Sequence, residues 1–234
     1  SHGTAQEKRV TAELVRRVAA EEGRYVALMG DLQGPKIRIG RLPEGGMRIS
    51  PGDEVVLAAT PQEAPNEIPF LHPDIIDDVS PGDRLLLDDG ALELVAVAKA
   101  PAQLTCRVVV WGILSSHKGV NLPGVALHID ALTEKDREDA LTALDLGLDY
   151  LALSFVRRAS DVEALRDYLL THVNAPETRQ VGHDPHVIPG LIAKIEKPEA
   201  LDELELIVRA ADGVMVARGD LGVEIAPECV PTVQ

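Results

Sequence analysis

Positive charge is scarce in this sequence. Lysine and arginine number 23 against 38 aspartates and glutamates, a formal net charge of −15 over 234 residues. That balance excludes a broad nucleic-acid or anionic-membrane surface, because either partner would be repelled unless the cations were gathered in one pocket. An anionic ligand would therefore need a local site. Cysteine is almost absent: Cys106 and Cys229 stand far apart, fit no metal or redox spacing, and read as two reduced thiols. No apolar run approaches the roughly 20 residues of a membrane-spanning helix. The opening SHGTAQEKRV is polar from its first residue, so the expected location is the cytoplasm. With 45% hydrophobic residues, the chain has enough apolar surface for one large core and a smaller module.

Thr4 and Glu7 have the spacing of a capping box, and Leu14, Val15, Val18 and Ala19 recur at helical intervals, which predicts a helix to about Glu22, stopped by Gly23. YVALMGD (25–31) reads as a buried parallel strand. From Gly34 to Lys118 the texture changes to short β-rich runs separated by turns. The tetrapeptide Ser-Pro-Gly-Asp occurs at 50–53 and again at 80–83, and Asp88-Asp89-Gly90 is a hairpin signal. Beyond Gly124, strands and helices alternate. Thr133 caps a helix stopped by Gly147, DYLALSFV (149–156) is a strand, and Ser160 caps the next helix. Residues 174–190 read as an exposed loop. LIAKIE is a strand, EALDELELIVRAA one helix behind Pro198, and GVMVAR (213–218) a further strand. This order, without a dinucleotide glycine fingerprint, points to a (β/α) barrel.

Side chains in a strand alternate, so Lys194 and Glu196 face one space while Ile195 faces the other. The following strand leads to Ala217-Arg218-Gly219-Asp220, which would bring a second carboxylate to the same end of a parallel sheet. Two carboxylates with positions left for water and phosphate oxygens suit magnesium rather than zinc. A lone Lys-x-Glu is more often a partly exposed ion pair of little energetic weight. The second carboxylate, bracketed by Gly219 and Gly222, tips the reading toward a site.

IAKIEKPEA, MVARGDLGVEI, LSFVRRASDV, HKGVNLPG, GDLQGPKIRIG and the opening SHGT resemble, in this order, the pyruvate kinase family. The resemblance implies an α/β fold, an incomplete (β/α)8 TIM-type barrel with an inserted small all-β domain. Residues 1–34 would be the first barrel segment, 35–118 the inserted β-barrel-like lid domain, and 119–234 the second, truncated segment. It implies phosphoryl transfer between phosphoenolpyruvate and ADP, giving pyruvate and ATP, with magnesium (or manganese) as cofactor. Lys194 would stabilise the transferring group, Glu196 and Asp220 would hold the metal, and amides near Ala217, Gly219 and Asp220 would hold the substrate carboxylate. His2, Arg38 and Lys118 would contact the nucleotide. Family members that need a monovalent cation have glutamate in place of Lys36 and threonine in place of Leu32. Here the Lys36 ammonium beside Asp31 would replace potassium, in a site that also includes Ser1 and Leu32. By the same resemblance, two barrel strands on each side, a substrate-binding arginine and a carboxyl-terminal domain lie outside these residues, and the full-length form is a homo-oligomer, a tetramer. A fragment or a truncated paralogue would both account for this.

Two other functional classes fit parts of the pattern. One is a non-catalytic remnant that pairs with complementary segments. The other is a magnesium-dependent lyase of the phosphoenolpyruvate and pyruvate barrel type, against which GPKIR and KGVNLPG speak. His183 and His186 have metal-ligand spacing but only Asp184 beside them, and read as solvated loop residues. Trp111 and Phe155 read as core, Lys197 as solvated, and Ser154 has no histidine base placed beside it for a nucleophile role.

Overall fold

The computed structural model describes residues 3–61, 64–173 and 187–233. The expected site residues Ser1 and His2, and with them His183, Asp184 and His186, lie outside the described residues. The chain divides into two units: the residues up to Pro35 with Asp130–Ala217, and Lys36–Ile129 with the residues from Arg218 onward.

The first unit opens with helix α1 (Ala5–Glu21), whose Thr4–Glu7 capping box forms as the spacing predicts. Gly23, at φ +61°, ends it. Strand β1 covers only Met29–Asp31. Residues 25–28 are not strand, and Tyr25 and Val26 are exposed, which corrects the expectation of a buried strand from residue 25. The reason is position: β1 is the end strand of its sheet and has one neighbour to pair with.

The second unit carries β2 (Met47–Ile49), β3 (Glu54–Ala58), β4 (Glu67–Pro69), β5 (Arg84–Leu87), β6 (Leu92–Ala100), β7 (Gln103–Val110), β8 (Gly112–Leu114) and β9 (Val120–Asn121). Six of these form a sheet in the order β4-β3-β7-β6-β5-β9, and β2 pairs with β8. The two Ser-Pro-Gly-Asp turns have one geometry. In each, the Ser N–H donates to the Asp carboxylate, at 2.8 Å for Ser50 and 2.7 Å for Ser80, and the glycine takes a positive φ, +87° at Gly52 and +100° at Gly82. Asp88, Asp89 and Gly90 all take positive φ in the β5–β6 hairpin. Trp111 is 64% exposed, contrary to its expected place in the core. Trp111 falls between β7 and β8, in a stretch where Val109, Val110 and Ile113 are exposed as well, while Val108 and Leu114 are buried.

The chain returns to the first unit with α2 (Glu134–Asp145), β10 (Tyr150–Leu153), α3 (Ala159–His172), β11 (Gly190–Ile195), α4 (Glu199–Asp202), α5 (Leu204–Ala210) and β12 (Gly213–Val216). Its four strands are all parallel, in the order β1-β10-β11-β12. Val162, Leu165 and Leu169 recur along one face of α3 and are buried in the same core as Leu151, Leu153, Leu191 and Ala193 of the strands. Each such leucine contributes about 2 kcal/mol on burial. Two helix predictions are corrected. Ser160 lies inside α3 rather than at its cap, because Asp161 reaches back to accept from the N–H groups of Arg157 and Arg158 at 2.9 and 3.0 Å. The helix after Pro198 is two pieces, broken where Glu203 takes φ −111°. In the second unit, α6 (Arg218–Glu224) and α7 (Val230–Val233) close the chain. Among the described residues no helix is long and apolar enough to cross a membrane.

Candidate functional site

Lys194 lies near the carboxyl end of β11, and Glu196 follows that end directly. The alternation argument holds: Lys194 Nζ is 2.9 Å from Glu196 Oε1. Two further oxygens surround the ammonium, Ser154 Oγ at 2.9 Å and Asp31 Oδ1 at 3.2 Å. Three parallel strands thus each send one group to the same cation, since β1 ends at Asp31 and β10 ends one residue before Ser154. The Lys194 side chain is 14% exposed and that of Glu196 only 1%, whereas Asp31 is 49% exposed and opens the cluster to solvent.

Burial alone would push the Lys194 ammonium toward deprotonation. The Glu196 hydrogen bond and charge, followed by the charge of Asp31, outweigh it and hold the group above the usual lysine range. Lys194 is therefore a fixed cation at neutral pH. Glu196 is anchored on its other oxygen, where Oε2 accepts from the Phe155 N–H at 2.7 Å. Phe155 adopts φ +56°, a left-handed conformation that costs a non-glycine residue roughly 1–2 kcal/mol. The charge-assisted hydrogen bond that this conformation permits offsets the strain. Ser154 donates to the Leu32 carbonyl at 2.7 Å, which leaves its oxygen lone pairs for Lys194. The Leu32 side chain itself is buried in the core.

In the second unit, residues 37–40 run against 117–120 through the bonds Ile39 N–H to Lys118 O, Val120 N–H to Ile37 O and His117 N–H to Gly40 O. Arg38 Nη1 donates to the His117 carbonyl at 3.0 Å, and Lys118 Nζ pairs with Asp88 Oδ1 at 2.7 Å. Lys36 lies near Gly119, where an added Cβ would come within 3.6 Å of its Cε. Lys36, Arg38 and Lys118 therefore belong to one paired ribbon, a local concentration of cations in an acidic chain. Asp220 and Gly219 fall in the first turn of α6 rather than at a strand end, because β12 stops at Val216. N–H groups of a first turn have no intrahelical acceptor. The Ala217 N–H, in contrast, is already committed to the Ile195 carbonyl at 3.2 Å. The far end of α6 is tied to β9, as Asn121 Nδ2 donates to Glu224 Oε1 at 2.7 Å.

Comparison with known proteins gives a family. The model of "Pyruvate kinase, barrel domain" matches residues 1–234. The chain belongs to the pyruvate kinase family. It is 43% identical to a pyruvate kinase of Agrobacterium vitis over 233 residues, 99% of this chain and 45% of the relative. It is 42% identical to one of Corynebacterium glutamicum, covering 100% of this chain and 47% of the relative. With pyruvate kinase 2 of Synechocystis sp. the identity is 40%, over 100% and 38%. The chain thus spans less than half the length of these curated relatives.

Set against the pyruvate kinase motifs, the described residues bring Lys194, Glu196 and Asp31 into one cluster, and Lys36, Arg38 and Lys118 onto one ribbon. Ser154 was weighed from sequence only as a nucleophile and set aside; its place directly after β10, beside the Lys194 ammonium, follows from the same strand-end logic that singled out Lys194. The sequence reading passed over the Phe155 amide, which carries no side-chain signal. Lys197 is not simply solvated: its Nζ lies 5.9 Å from the Phe155 ring centroid.

Proposed function

We propose that the protein takes part in the pyruvate kinase reaction, phosphoryl transfer between phosphoenolpyruvate and ADP that gives pyruvate and ATP. The observation that carries this reading is the Lys194 ammonium held by oxygens from three strands beside the buried Glu196. Phosphoryl transfer asks for positioning and charge compensation more than for covalent chemistry. Lys194 would meet the negative charge that develops on the transferring group and on the enolate oxygen. Asp31 and Ser154 orient that ammonium, and the Phe155 N–H fixes the rotamer of Glu196.

The donor set suits a divalent cation. Both Glu196 oxygens are hydrogen-bonded, yet each keeps a lone pair, and a buried carboxylate is a hard oxygen ligand of the kind magnesium takes. Glu196 would hold the ion with Asp220, the second carboxylate the family motifs indicate, and magnesium or manganese would supply charge to phosphate oxygens when bound. Ala217, Gly219 and Asp220 mark the segment for the substrate carboxylate, where the amides of Gly219 and Asp220 in the first turn of α6 are the better candidates. Arg38 and Lys118, with His2, are the nucleotide contacts in this reading. Lys36 takes the place of potassium in the segment that includes Ser1, Asp31 and Leu32, and a leucine side chain has no oxygen to offer a cation.

The proposed architecture is an incomplete (β/α)8 barrel, residues 1–34 and 119–234, interrupted by a β-domain at 35–118. The longer protein would be a cytoplasmic homo-oligomer. A coupled assay of pyruvate formation, with and without Lys194→Met, tests the chemistry. A loss of about 10²–10³-fold in kcat is expected, the size seen when one preorganised charge donor is removed. Equal rates for the two proteins would remove Lys194 from the mechanism.

A further inference from the structure

A buried carboxylate on α2 has no share in the chemistry above. Asp136 is fully buried at the third position of the helix. Its Oδ2 accepts from the Thr133 N–H at 3.1 Å and from the Thr133 hydroxyl at 2.5 Å, and its own N–H donates to Thr133 Oγ1 at 3.1 Å. Capping alone does not call for burial. The same device at α1, Thr4 with Glu7, stands exposed at the surface. What differs at α2 is the second oxygen. Asp136 Oδ1 accepts from the Gly34 N–H at 3.1 Å, across 102 residues of sequence.

Gly34 sits where the chain has no freedom. Its φ is +68°, and a Cβ there would lie 2.8 Å from Phe155 Cδ2 and 3.1 Å from the Ser154 carbonyl. The turn of residues 31–34 therefore rests directly on the two residues that hold Lys194 and Glu196, through the Ser154 hydroxyl and the Phe155 N–H. At the other end of that turn, Asp31 touches Lys194 and the Leu32 carbonyl accepts from Ser154.

We propose that Asp136 is a positioning residue for the Lys194 centre: by holding the Gly34 N–H it seats the 31–34 turn on Ser154 and Phe155, and so sets where Asp31 and Ser154 stand around the ammonium. Its catalytic consequence rests on the phosphoryl-transfer reading. The clamp itself does not. Removing the carboxylate leaves the Gly34 N–H buried without its acceptor and frees the turn to shift.

The test compares Asp136→Ala, Asp136→Asn and Gly34→Ala in the full-length protein by two readouts. The first, hydrogen exchange at the Gly34 amide, needs no activity. Asp136→Ala is expected to speed it by at least about tenfold while the middle of α2 stays protected. The second is steady-state kinetics. A turn displaced by about 1 Å is expected to lower kcat, normalised to the folded fraction measured by circular dichroism, about a hundredfold with the nucleotide KM within about twofold; loss of folded protein alone would leave the normalised kcat unchanged. Gly34→Ala, which leaves the capping box intact, should give the same split, and Asp136→Asn, with one acceptor for two sets of donors, an intermediate one. Unchanged Gly34 exchange, or a kcat that falls only with the folded fraction, would overturn the proposal. If Asp136→Ala does not fold, Asp136→Asn decides both readouts in the same way. If the parent protein forms no pyruvate, the phosphoryl-transfer reading fails by itself, and Gly34 exchange alone decides the clamp.

Discussion

A thiol reacts as its thiolate, so access and pKa together set which cysteine an electrophile finds. Cys106 is buried in the core of the second unit, and burial pushes its pKa up to about 12; Cys229 is exposed. Titration of the native 234-residue chain with a disulfide reagent near pH 8 should release one equivalent promptly and the second only on adding denaturant. Two prompt equivalents would mean that the β7 core opens freely. The same contrast between side chain and surroundings decides what was legible at this scale. That Lys194 and Glu196 face one space was legible from strand alternation, because a period of two is a property of the backbone and holds wherever the strand holds; reading the pair as a site took the second carboxylate, Asp220, and the family motifs. Trp111 was misplaced because one large apolar residue in an apolar run does not tell where the strand breaks, and it falls in the gap between β7 and β8. The Phe155 amide could not be found at all, since every residue has an N–H and only a left-handed φ aims this one at Glu196.

Elements were legible where their ends carry side-chain chemistry. The Thr4–Glu7 capping box and the Thr133 cap formed as expected, and Gly147 stopped α2 with φ +57°, while the part of Asp136 in the second cap emerged only in the structure. Ends set by tertiary partners were not. Strand β11 shows why: its Leu191 N–H donates at 2.7 Å to the carboxylate of Asp212, twenty-one residues on, which also pairs with Arg166 of α3 at 3.1 Å. The Leu191 hydrogen bond comes first in lowering the Asp212 pKa; partial burial opposes it, and the Arg166 hydrogen bond and charge add to it. A carboxyl with a lowered folded pKa stabilises the fold above its unfolded value of about 3.9, and that contribution fades as the pH falls through the folded value. Asp212→Asn should therefore lower Tm at pH 6, and the gap from the parent protein should narrow below about pH 4 and close in stronger acid. A gap that stayed constant with pH would assign the effect to lost packing instead of charge.

At the scale of the molecule, a chain of charge −15 gathers monovalent cations around itself whether or not it has a site for one. Any test of the proposed potassium independence has to separate that atmosphere from specific binding. The atmosphere responds to charge and ionic strength, and at about 0.15 M salt it is confined to a screening length of roughly 8 Å. A binding site responds to ion size as well, because its oxygens must replace the hydration shell at fixed distances. Tetramethylammonium carries the charge of potassium but is too large and apolar for such a site. Pyruvate formation by the full-length protein, measured at constant ionic strength while potassium is exchanged for tetramethylammonium, should stay within about twofold, since the atmosphere is conserved by that exchange. The Lys36 reading demands this outcome, for a tethered ammonium is present at every salt composition. A loss of tenfold or more would show that a sized cation is required, and would leave Lys36 as one more basic residue on the ribbon that carries Arg38 and Lys118.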